Sequence, residues 1–505
     1  MMNSIPVGFR QFLALTLVAV GSSLAILTPL NDVQAQRSDP SFRGPTSVAP
    51  VAKTLIPAVV NISTSQLSKG PKGVPLPDVP DGAPFEKFFD DFFSDDGEGS
   101  GAGRKVSSLG SGFVIDGKEG LIVTNNHVIL EADEIFVNFS DGSKLKVDKV
   151  LGRDPQTDLA LLKVTPKAEL AEVRFGSSAR LDVGDWVMAI GNPFGLGGSV
   201  TVGIISAKER DINSGPYDDY LQTDAAINKG NSGGPLFNMQ GDVIGVNTAI
   251  ISPTGGSIGI GFAVPSDTAI NVIDQLRRYG ETRRGWLGVK IQTISEDIAE
   301  TLGVKENTGA LVASVEAKSP ADAAGIQSGD VILKFDGKDI MSMRSLPRIV
   351  AQTPIGKQVD VDLLRDGSPT KVTVEVGLLK EKGKGKEAAG KSQSKTPEST
   401  KPPKSSDAGV DGLTVSEITD ELRQKHGLPK SAKGLVVTGI DDASAVAKKN
   451  IAVGDLIVEV ANIRVSTVAQ MNEALSKVRK SGRSAALLRV ESAKGDLRFV
   501  AVPLQ

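Results

Sequence analysis

The feature that most constrains the fold is an internal repeat in the C-terminal half of the chain. Segment 309–332, which begins GALV and ends GDVI, aligns without a gap with segment 434–457, which begins GLVV and ends GDLI. The paired positions differ by 125 residues throughout (309 and 434, 329 and 454), and a later LLR recurs with the offset one residue shorter. The repeat indicates two copies of one small αβ module, which we assign to residues 281–379 and 409–505.

The segment between the modules, residues 380–408, differs from both in composition. Its sequence, KEKGKGKEAAGKSQSKTPESTKPPKSSDA, consists largely of Lys, Ser, Gly and Pro with almost no apolar residues. Such a segment buries too little apolar surface to offset the entropy lost on ordering. The composition predicts a flexible linker.

Residues 36–280 have the pattern of an all-β domain. Short apolar or alternating runs, such as SGFVID, LIVTNN, WVMAIG and VTVGIIS, are separated by glycine and other turn residues. Many short strands at this spacing are typical of a barrel or a sandwich. No long helical periodicity interrupts them, so we expect this region to be one mainly β domain.

Composition excludes several classes of protein and of site. The 505 residues are 40% hydrophobic and 23% charged, which indicates a globular chain with several domains. A net charge of −3 argues against a nucleic-acid-binding protein, and the lack of cysteine excludes disulfides, thiolate zinc sites and cysteine nucleophiles. Neither a P-loop nor an H-E-x-x-H motif is present, so we expect no cofactor, no ATP and no metal.

The first 35 residues have the pattern of a secretory signal peptide. Arg10 precedes the apolar run FLALTLVAVGSSLAIL, and the small residues of VQA stand before Gln36, where a signal peptidase would cut. The apolar run is long enough that an uncleaved membrane anchor is the alternative. After cleavage no stable membrane span is expected.

A loop at about 66–107 carries an amphipathic insert, PFEKFFDDFF. Its five phenylalanines fall on one helical stripe, with acidic and basic residues opposite; they are Phe85, Phe88, Phe89, Phe92 and Phe93. Glycine- and proline-rich arms flank the insert on both sides. The stripe packs either on its own domain or, as the arms favour, on another subunit.

One serine has the surroundings of a nucleophile. Ser232 lies in GNSGGPL, among three glycines and a proline. Glycine allows sharp bends and leaves backbone N–H groups accessible, because no Cβ shields them. A tight surface turn would have the same composition, so the motif by itself is weak.

A serine nucleophile needs a base and a carboxylate. The chain has two histidines: His426 lies at a polar helix end in the second module, whereas His127 follows the apolar strand of GLIVTNNHVIL. His127 is therefore the default base. Asp158, at the start of the apolar LALLKV strand, is the leading carboxylate; Asp148, Asp154 and Asp224 remain alternatives, because spacing alone does not separate them.

Together these segments resemble the HtrA family of DegP/Do-type periplasmic serine endoproteases. The resemblance is carried by TNNHVI, TDLALLKV, GNPFGLGGSVTVGIIS, TDAAINKGNSGGPL and IGIGFAVP, in this order, and by RRGWLGV at the start of the first module. It implies a mainly β fold, namely a chymotrypsin-like double β-barrel followed by two αβ PDZ domains. It also implies export to the periplasm.

The resemblance further implies roles for individual residues. Ser232 would be the nucleophile, His127 the general base and then acid, and Asp158 the group that orients the imidazole. The N–H groups of Gly230 and Ser232 would form an oxyanion hole, and Ile227 and Ile250 would line a pocket for small aliphatic side chains, although both fit a core role equally well.

In the first module, the loop Gly285, Trp286, Leu287, Gly288 and Val289 would bind the C-terminal carboxylate of a peptide that adds to the sheet edge. The second module has no obvious equivalent loop before the repeat, at Ser416 to Asp420, so its peptide binding stays open. By the same resemblance the chain forms homo-oligomers, with a trimer as the unit and larger cages as an extension. The phenylalanine loop would reach a neighbouring active site.

The leading function hypothesis is an ATP-independent endoprotease that degrades unfolded or damaged polypeptides in the periplasm. Two alternatives differ in class. One is a peptide-binding chaperone or holdase with conditional proteolysis, and the other is a membrane-tethered signalling protease. Substrates and partners would be unfolded polypeptides and their C-terminal peptides, not nucleic acid.

Overall fold

The computed structural model describes residues 46–67, 105, 106, 109–192, 198–228, 230–250, 257–380, 406, 407, 410 and 412–504. Residues Ala49–Gln505 form one compact unit. The predicted signal peptide, the phenylalanine insert and residues 381–405 of the predicted linker lie outside the described residues. Among the described helices, none is both long enough and apolar enough to cross a membrane.

The first sheet of the N-terminal domain follows a short helix, α1 (Ala49–Leu55), and contains eight antiparallel strands. They are β1 (Val59–Leu67), β2 (Lys105–Val106), β3 (Leu109–Asp116), β4 (Leu121–Asn125), β5 (Glu134–Asn138), β6 (Lys144–Lys146), β7 (Lys149–Asp154) and β8 (Leu159–Lys163). Their order is β6-β5-β1-β3-β4-β8-β7, with β2 beside β1. Leu145 and Val150, from the two ends of this row, pack on the same apolar core, so the sheet curls around it.

The second sheet of this domain closes into a six-stranded barrel. Its strands are β9 (Trp186–Gly191), β10 (Ser199–Arg210), β11 (Tyr220–Thr223), β12 (Pro235–Asn238), β13 (Val243–Ile250) and β14 (Gly261–Pro265). Closure follows the order β10-β11-β14-β13-β12-β9, and inward-facing residues of β9 such as Met188 and Ile190 are fully buried. A closed barrel leaves no strand edge unpaired.

Helix α2 (Ser266–Tyr279) ends the domain, and its sequence explains its place. Ala269, Val272, Ile273 and Leu276 recur at helical spacing and are buried against the two sheets. The helix stops at Gly280, which adopts φ 75° and caps the last turn. The chain then enters the first module.

The first module contains strands β15 (Gly285–Trp286), β16 (Val289–Gln292), β17 (Ala310–Val315), β18 (Val331–Phe335), β19 (Lys338–Asp339), β20 (Gln358–Arg365), β21 (Ser368–Glu375) and β22 (Gly377–Leu378). Its helices are α3 (Glu296–Leu302), α4 (Pro320–Ala323) and α5 (Ser345–Gln352). The main sheet has the order β16-β17-β18-β20-β21, so β16 is an outermost strand among those described; β15 pairs with β22.

The second module repeats this arrangement. Its strands are β23 (Ser406–Asp407), β24 (Leu413–Glu417), β25 (Leu435–Ile440), β26 (Leu456–Val460), β27 (Ile463–Arg464), β28 (Ala485–Glu491) and β29 (Leu497–Pro503), and its helices are α6 (Asp420–Lys425) and α7 (Val468–Lys480). Strands β25, β26 and β27 lie 125 residues after β17, β18 and β19 at both ends. The sequence repeat is therefore a structural repeat.

Glycines at the start of the repeat show why the sequence is constrained there. Gly309 and Gly434 adopt φ 83° and 122°, a region that favours glycine. A Cβ on Gly309 would lie 2.9 Å from the Ile332 carbonyl oxygen, and one on Gly434 would lie 2.5 Å from that of Ile457. Each glycine lets one strand start close against its neighbour.

Candidate active site

His127 is presented by a buried strand that ends in polar residues. All five residues of β4 are buried, and a single turn of 3₁₀-helix, His127–Ile129, follows Asn126. Val128 and Ile129 pack into the core of the first sheet and so anchor the turn. The imidazole is thereby fixed in a buried position, with 1% of the residue exposed.

Asp158 holds both the backbone and the side chain of His127. Its Oδ1 accepts a hydrogen bond from the His127 N–H at 2.8 Å, and its Oδ2 lies 2.5 Å from the imidazole Nδ1. Its carbonyl oxygen also accepts hydrogen bonds from the Asn126 N–H and from the Asn125 side chain. Asp158 adopts φ 55°, a conformation uncommon for a residue with a Cβ and found repeatedly at functional sites.

The other candidate carboxylates contact different groups. Asp154 forms an ion pair with Arg284, Asp148 accepts a hydrogen bond from the Thr165 hydroxyl, and Asp224 accepts one from the Ile204 N–H. Among the four acids weighed in the sequence, the structure brings Asp158 to His127. His426 lies in the second module, where its ring packs against Gly454.

Ser232 is fully buried beside the strands that lead to His127. The Ser111 N–H donates to the Ser232 carbonyl oxygen at 2.8 Å, and among the described residues the Ser232 hydroxyl makes no hydrogen bond. A Cβ on Gly233, which has φ 82°, would lie 2.5 Å from the Thr124 Oγ1 and 3.0 Å from the Asn125 nitrogen, two residues before His127. The glycine therefore permits this close approach.

The backbone before Ser232 is held by a second serine. Gly230 adopts φ 104°, and its carbonyl oxygen accepts a hydrogen bond from the Ser111 hydroxyl at 2.5 Å. The same hydroxyl accepts a hydrogen bond from the Asn192 N–H at 2.9 Å. The N–H groups of Gly230 and Ser232 donate to no other described backbone group.

The two predicted pocket residues meet at Gly261 on strand β14. The backbone of Ile250 pairs with that of Gly261. The Ile227 side chain is fully buried. A Cβ on Gly261 would lie 2.7 Å from the Ile227 Cγ1. The Ile250 side chain lies outside the described residues, so its orientation is not assigned.

The predicted carboxylate loop of the first module is a tight turn between two strands. Gly285 and Trp286 form β15, Leu287 is buried in the core of the module, and Val289 begins β16. Gly288 adopts φ 81°, and a Cβ there would collide with Ser319. The carbonyl oxygens of Leu287 and Gly288 accept hydrogen bonds from the N–H groups of Ala321 and Glu316, whereas the N–H groups of Leu287 and Gly288 donate to no other described backbone group.

A buried ion pair connects the N-terminal domain to the first module. Arg284, at the start of that module, donates to Asp154 Oδ2 at 2.5 Å, and both side chains are buried. The Arg284 guanidinium also lies 4.9 Å from the centre of the Tyr217 ring. Asp154 accepts a further hydrogen bond from Thr157, so the contact reaches the turn that carries Asp158.

Arg348 of helix α5 and Arg344, the residue before the helix, form a second ionic contact, with the end of β10 and the loop that follows it. Arg348 pairs with Asp219 and Glu209, and Arg344 pairs with Asp211. Burial raises the pKa of the Asp219 carboxyl, and the Arg348 guanidinium opposes that rise. Helix α5 also contributes Leu346 and Ile349 to the core beside β16, so one helix contacts both regions.

Several residues of these contacts were absent from the sequence-based prediction. Ser111 carries the signal that drew attention to Ser232, since it stands between two glycines in LGSGFVI. Gly412 is the counterpart of Gly288: it adopts φ 74°, a Cβ there would collide with Ser444, and its carbonyl oxygen accepts from the Asp441 N–H. The second module therefore has an equivalent loop four residues before Ser416, which corrects the expectation of none at Ser416 to Asp420.

Comparison with known proteins agrees with this architecture. Residues 110–246 match the family model of the trypsin-like peptidase domain, and residues 256–376 match that of the PDZ domain. A "probable periplasmic serine endoprotease DegP-like" from Brucella suis biovar 1 (strain 1330) is 40% identical over 96% of each chain. A protein of the same name from Rhizobium meliloti (strain 1021) is 41% identical over 85% of this chain and 84% of its own.

A solved structure titled "HtrA-type protease AlgW with decapeptide" is 39% identical and superposes with a TM-score of 0.53, covering 66% of this chain and 99% of that chain. The predicted mainly β fold, with a trypsin-like domain followed by a PDZ domain, is confirmed. The family models match one PDZ domain, so the assignment of residues 409–505 as a second one stays a prediction. With 40% identity over nearly its whole length, the chain belongs to the HtrA family of DegP-like serine endoproteases.

Proposed function

We propose that this protein is an ATP-independent serine endopeptidase that cleaves unfolded or damaged polypeptides in the periplasm. Ser232 is the nucleophile, His127 the general base and then acid, and Asp158 the orienting carboxylate. The observation that carries the proposal is the double hydrogen bond of Asp158 to the backbone and the imidazole of His127. The proposed limits are residues 1–35 for the signal peptide, 36–280 for the protease domain, 281–379 for the first PDZ domain, 380–408 for the linker and 409–505 for the second PDZ domain.

The chemistry follows from the hydrogen bonds of the imidazole. When Nδ1–H donates to Asp158, Nε2 carries the free lone pair and takes the proton of the Ser232 hydroxyl as the oxygen attacks the scissile carbonyl. The imidazolium, stabilised by Asp158, then protonates the leaving amine. Water then adds to the ester carbonyl of the acyl-enzyme and gives a proton to Nε2. The imidazolium returns that proton to the Ser232 oxygen as its bond to the acyl carbon breaks, which releases the carboxylic acid product and restores the hydroxyl.

The oxyanion hole is assigned to the N–H groups of Gly230 and Ser232. Support comes from the positive φ of Gly230 and from the Ser111 hydroxyl, which donates a hydrogen bond to the Gly230 carbonyl oxygen and so fixes the backbone between Gly230 and Ser232. A fixed donor of this kind typically lowers the barrier by about 3 kcal/mol, because it needs no reorganisation when the charge develops. Ser111 is thus a positioning residue.

Ile227 and Ile250 are proposed to favour small aliphatic side chains at the cleaved position. The convergence of the Ile227 side chain and the Ile250 backbone on Gly261 supports this reading. A set of peptides that differ only in Val, Ala, Phe or Lys at the cleaved position tests it. We expect Val and Ala to give the highest kcat/KM, and preferred cleavage after Lys would contradict the assignment.

The first module is proposed to bind C-terminal peptides and to regulate cleavage. Its loop keeps the Leu287 and Gly288 N–H groups available, and β16 is an outermost strand among those described. A bound peptide would pack against helix α5, from which Arg348, together with the preceding Arg344, contacts the loop after β10. Displacement of helix α5 would therefore change the ion pairs that hold this loop of the protease domain.

Assembly into homo-oligomers with a trimer as unit, and larger cages built from it, is proposed as well. Support comes from an exposed apolar patch on the closed barrel, formed by Val183, Trp186 and Val202, which are 62%, 41% and 37% exposed. Trp186 pairs with Ile204, two residues along the same strand from Val202. Contiguous exposed apolar surface is a feature of protein–protein interaction sites.

The triad is tested by single substitutions assayed on an unfolded protein substrate. Ser232→Ala and His127→Ala are each expected to lower kcat by about 10⁴-fold or more, because the members of a triad act as a unit. His426→Ala, the matched change at the other histidine, is expected to leave kcat unchanged. Equal activity of wild type and Ser232→Ala would overturn the assignment, and a wild type that binds the substrate without cutting it would favour the holdase reading.

A further inference from the structure

The second module covers one face of the sheet in the first. Apolar side chains from both modules form one buried cluster, with Ile294, Ile298, Ala299, Leu311 and Val331 from the first and Leu487, Phe499 and Ala501 from the second. Strand β29 crosses β17, and Lys449 forms an ion pair with Asp297 at the edge of the contact. A buried apolar centre with a charged rim is the composition of a specific interface.

Strand β16 contacts the second module through two alternate side chains. Lys290 Nζ lies 3.3 Å from Asp496 Oδ1. The Gln292 side-chain amide donates to the Phe499 carbonyl oxygen and accepts from the Phe499 N–H, both at 2.8 Å. Since β29 is an outermost strand in the described part of the chain, these backbone groups need partners, and Gln292 supplies them.

The intervening residues of β16 point the other way. Val289 and Ile291 pack on the core of the first module, together with Leu346 and Ile349 of helix α5. Successive side chains of a strand alternate between its two faces, so β16 has one face toward α5 and one toward the second module.

The side chains of a C-terminal peptide that pairs with β16 alternate between the same two faces. With its carboxylate at the Leu287–Gly288 turn and an antiparallel direction, its last residue lies opposite Val289 and its penultimate residue opposite Lys290. The fourth residue from its end lies opposite Gln292. Residues directly opposite each other project on the same face, so the penultimate side chain projects toward Asp496.

We infer that the peptide site of the first module is composite. Helix α5 reads the last and third-last residues, and the turn before β29 in the second module, with Asp496, reads the penultimate residue. The inference rests on the proposed binding of C-terminal peptides by the first module and adds the second module as a specificity element.

The charges at this position give the inference a measurable consequence. Lys290 and Asp496 are 67% and 68% exposed, so their pairing is weak, and together they present no net charge to the penultimate residue. Asp496→Lys leaves two cations there and is expected to favour an acidic penultimate residue. Lys290→Glu leaves two anions and is expected to favour a basic one.

The test measures binding of fluorescent decapeptides ending in Val, with Glu, Ala or Lys at the penultimate position, to full-length protein carrying Ser232→Ala. We expect Asp496→Lys to raise the ratio of Glu-peptide to Lys-peptide affinity by about three- to five-fold, and Lys290→Glu to lower it by a similar factor. The control Asp442→Lys changes net charge equally at an exposed position for which no contact with β16 is described, and it is expected to leave the ratio unchanged. The same substitutions in the third-last residue of the peptide are expected to respond to neither variant.

The outcomes separate the two proposals. If no peptide binds any variant, the proposed peptide binding by the first module is wrong, and the composite site falls with it. If the peptides bind but Asp496→Lys leaves the penultimate selectivity equal to that of Asp442→Lys, the composite site alone is overturned. A change that appears at the third-last position instead would also overturn it.

Discussion

Among the strands that the structure describes, β16 is outermost in the sheet of the first module, whereas the corresponding strand β24 of the second module has neighbours on both sides, β25 and β23. Strand β23 pairs antiparallel with β24 through Ser406 opposite Val415 and Asp407 opposite Thr414. This is the edge and the direction that a C-terminal peptide would use. Two modules with the same loop thus differ in whether the peptide edge is open.

The comparison teaches that a repeated loop does not repeat a binding site by itself. Gly288 and Gly412 face Ser319 and Ser444 in the same way, and the hydrogen bonds of their carbonyl oxygens match. A strand-adding site also requires unpaired backbone groups beside the loop, since main-chain hydrogen bonds supply much of the affinity. We therefore expect one C-terminal peptide to bind per chain, in the first module.

The largest expected effect comes from the two loop glycines. Gly288→Val introduces a β-branched residue at φ 81° against Ser319 and is expected to weaken peptide binding by about 100-fold or more, because the loop can no longer hold its N–H groups in place. Gly412→Val meets the same strain against Ser444 and is the matched control. Calorimetric titration should show loss of binding for the first variant alone, and a loss in both would end the distinction between the modules.

An ion pair between a buried aspartate and a partly exposed arginine gives the next largest effect and is shared by both modules. Asp330 pairs with Arg365, which also donates to the Gly325 carbonyl oxygen; Asp455 pairs with Arg498, which donates to that of Asn450. Because each aspartate is buried, Arg365→Met and Arg498→Met should each lower the free energy of unfolding by about 3 kcal/mol. Denaturant titration measures this, with the exposed Arg464→Met expected to change it little.

Removal of β23 tests the cause of the difference directly. Replacing Ser406 and Asp407 together by proline removes their N–H groups and should free the edge of β24. We expect the number of bound C-terminal peptides per chain to rise from one to two, with the second site weaker than the first. A stoichiometry that stays at one, in a variant with unchanged secondary structure, would mean that the loop of the second module is itself unable to bind.

The smallest expected effect concerns the contact between the modules. Gln292→Ala leaves the Phe499 N–H and carbonyl groups without their side-chain partners and is expected to lower stability by about 1 kcal/mol. Thermal unfolding of the full chain measures it. Lys290→Ala, which removes only the exposed pair with Asp496, is the control and should change stability by less than about 0.5 kcal/mol.

Sequence patterns anticipated much of this structure where the physics is local. Alternating runs predicted strands, and the constant offset predicted the repeat, since side-chain periodicity and turn residues act over a few positions. The glycines around Ser232 and the strand before His127 also pointed to the candidate site. Neither the choice of Asp158 over three other acids nor the contact of Ser111 with Gly230 followed from spacing.

The arginines of the repeats show most clearly what sequence left undecided. Arg365 and Arg489 align in sequence, yet Arg365 pairs with Asp330, whereas Arg489 pairs with Glu459 and the partner of Asp455 is Arg498 from another strand. The sequence by itself determined strand content, the repeat and the residue types at the site. Tertiary structure decided which charges meet, which edge stays open and where the second module packs, because those outcomes depend on strand order and burial between residues distant in the chain.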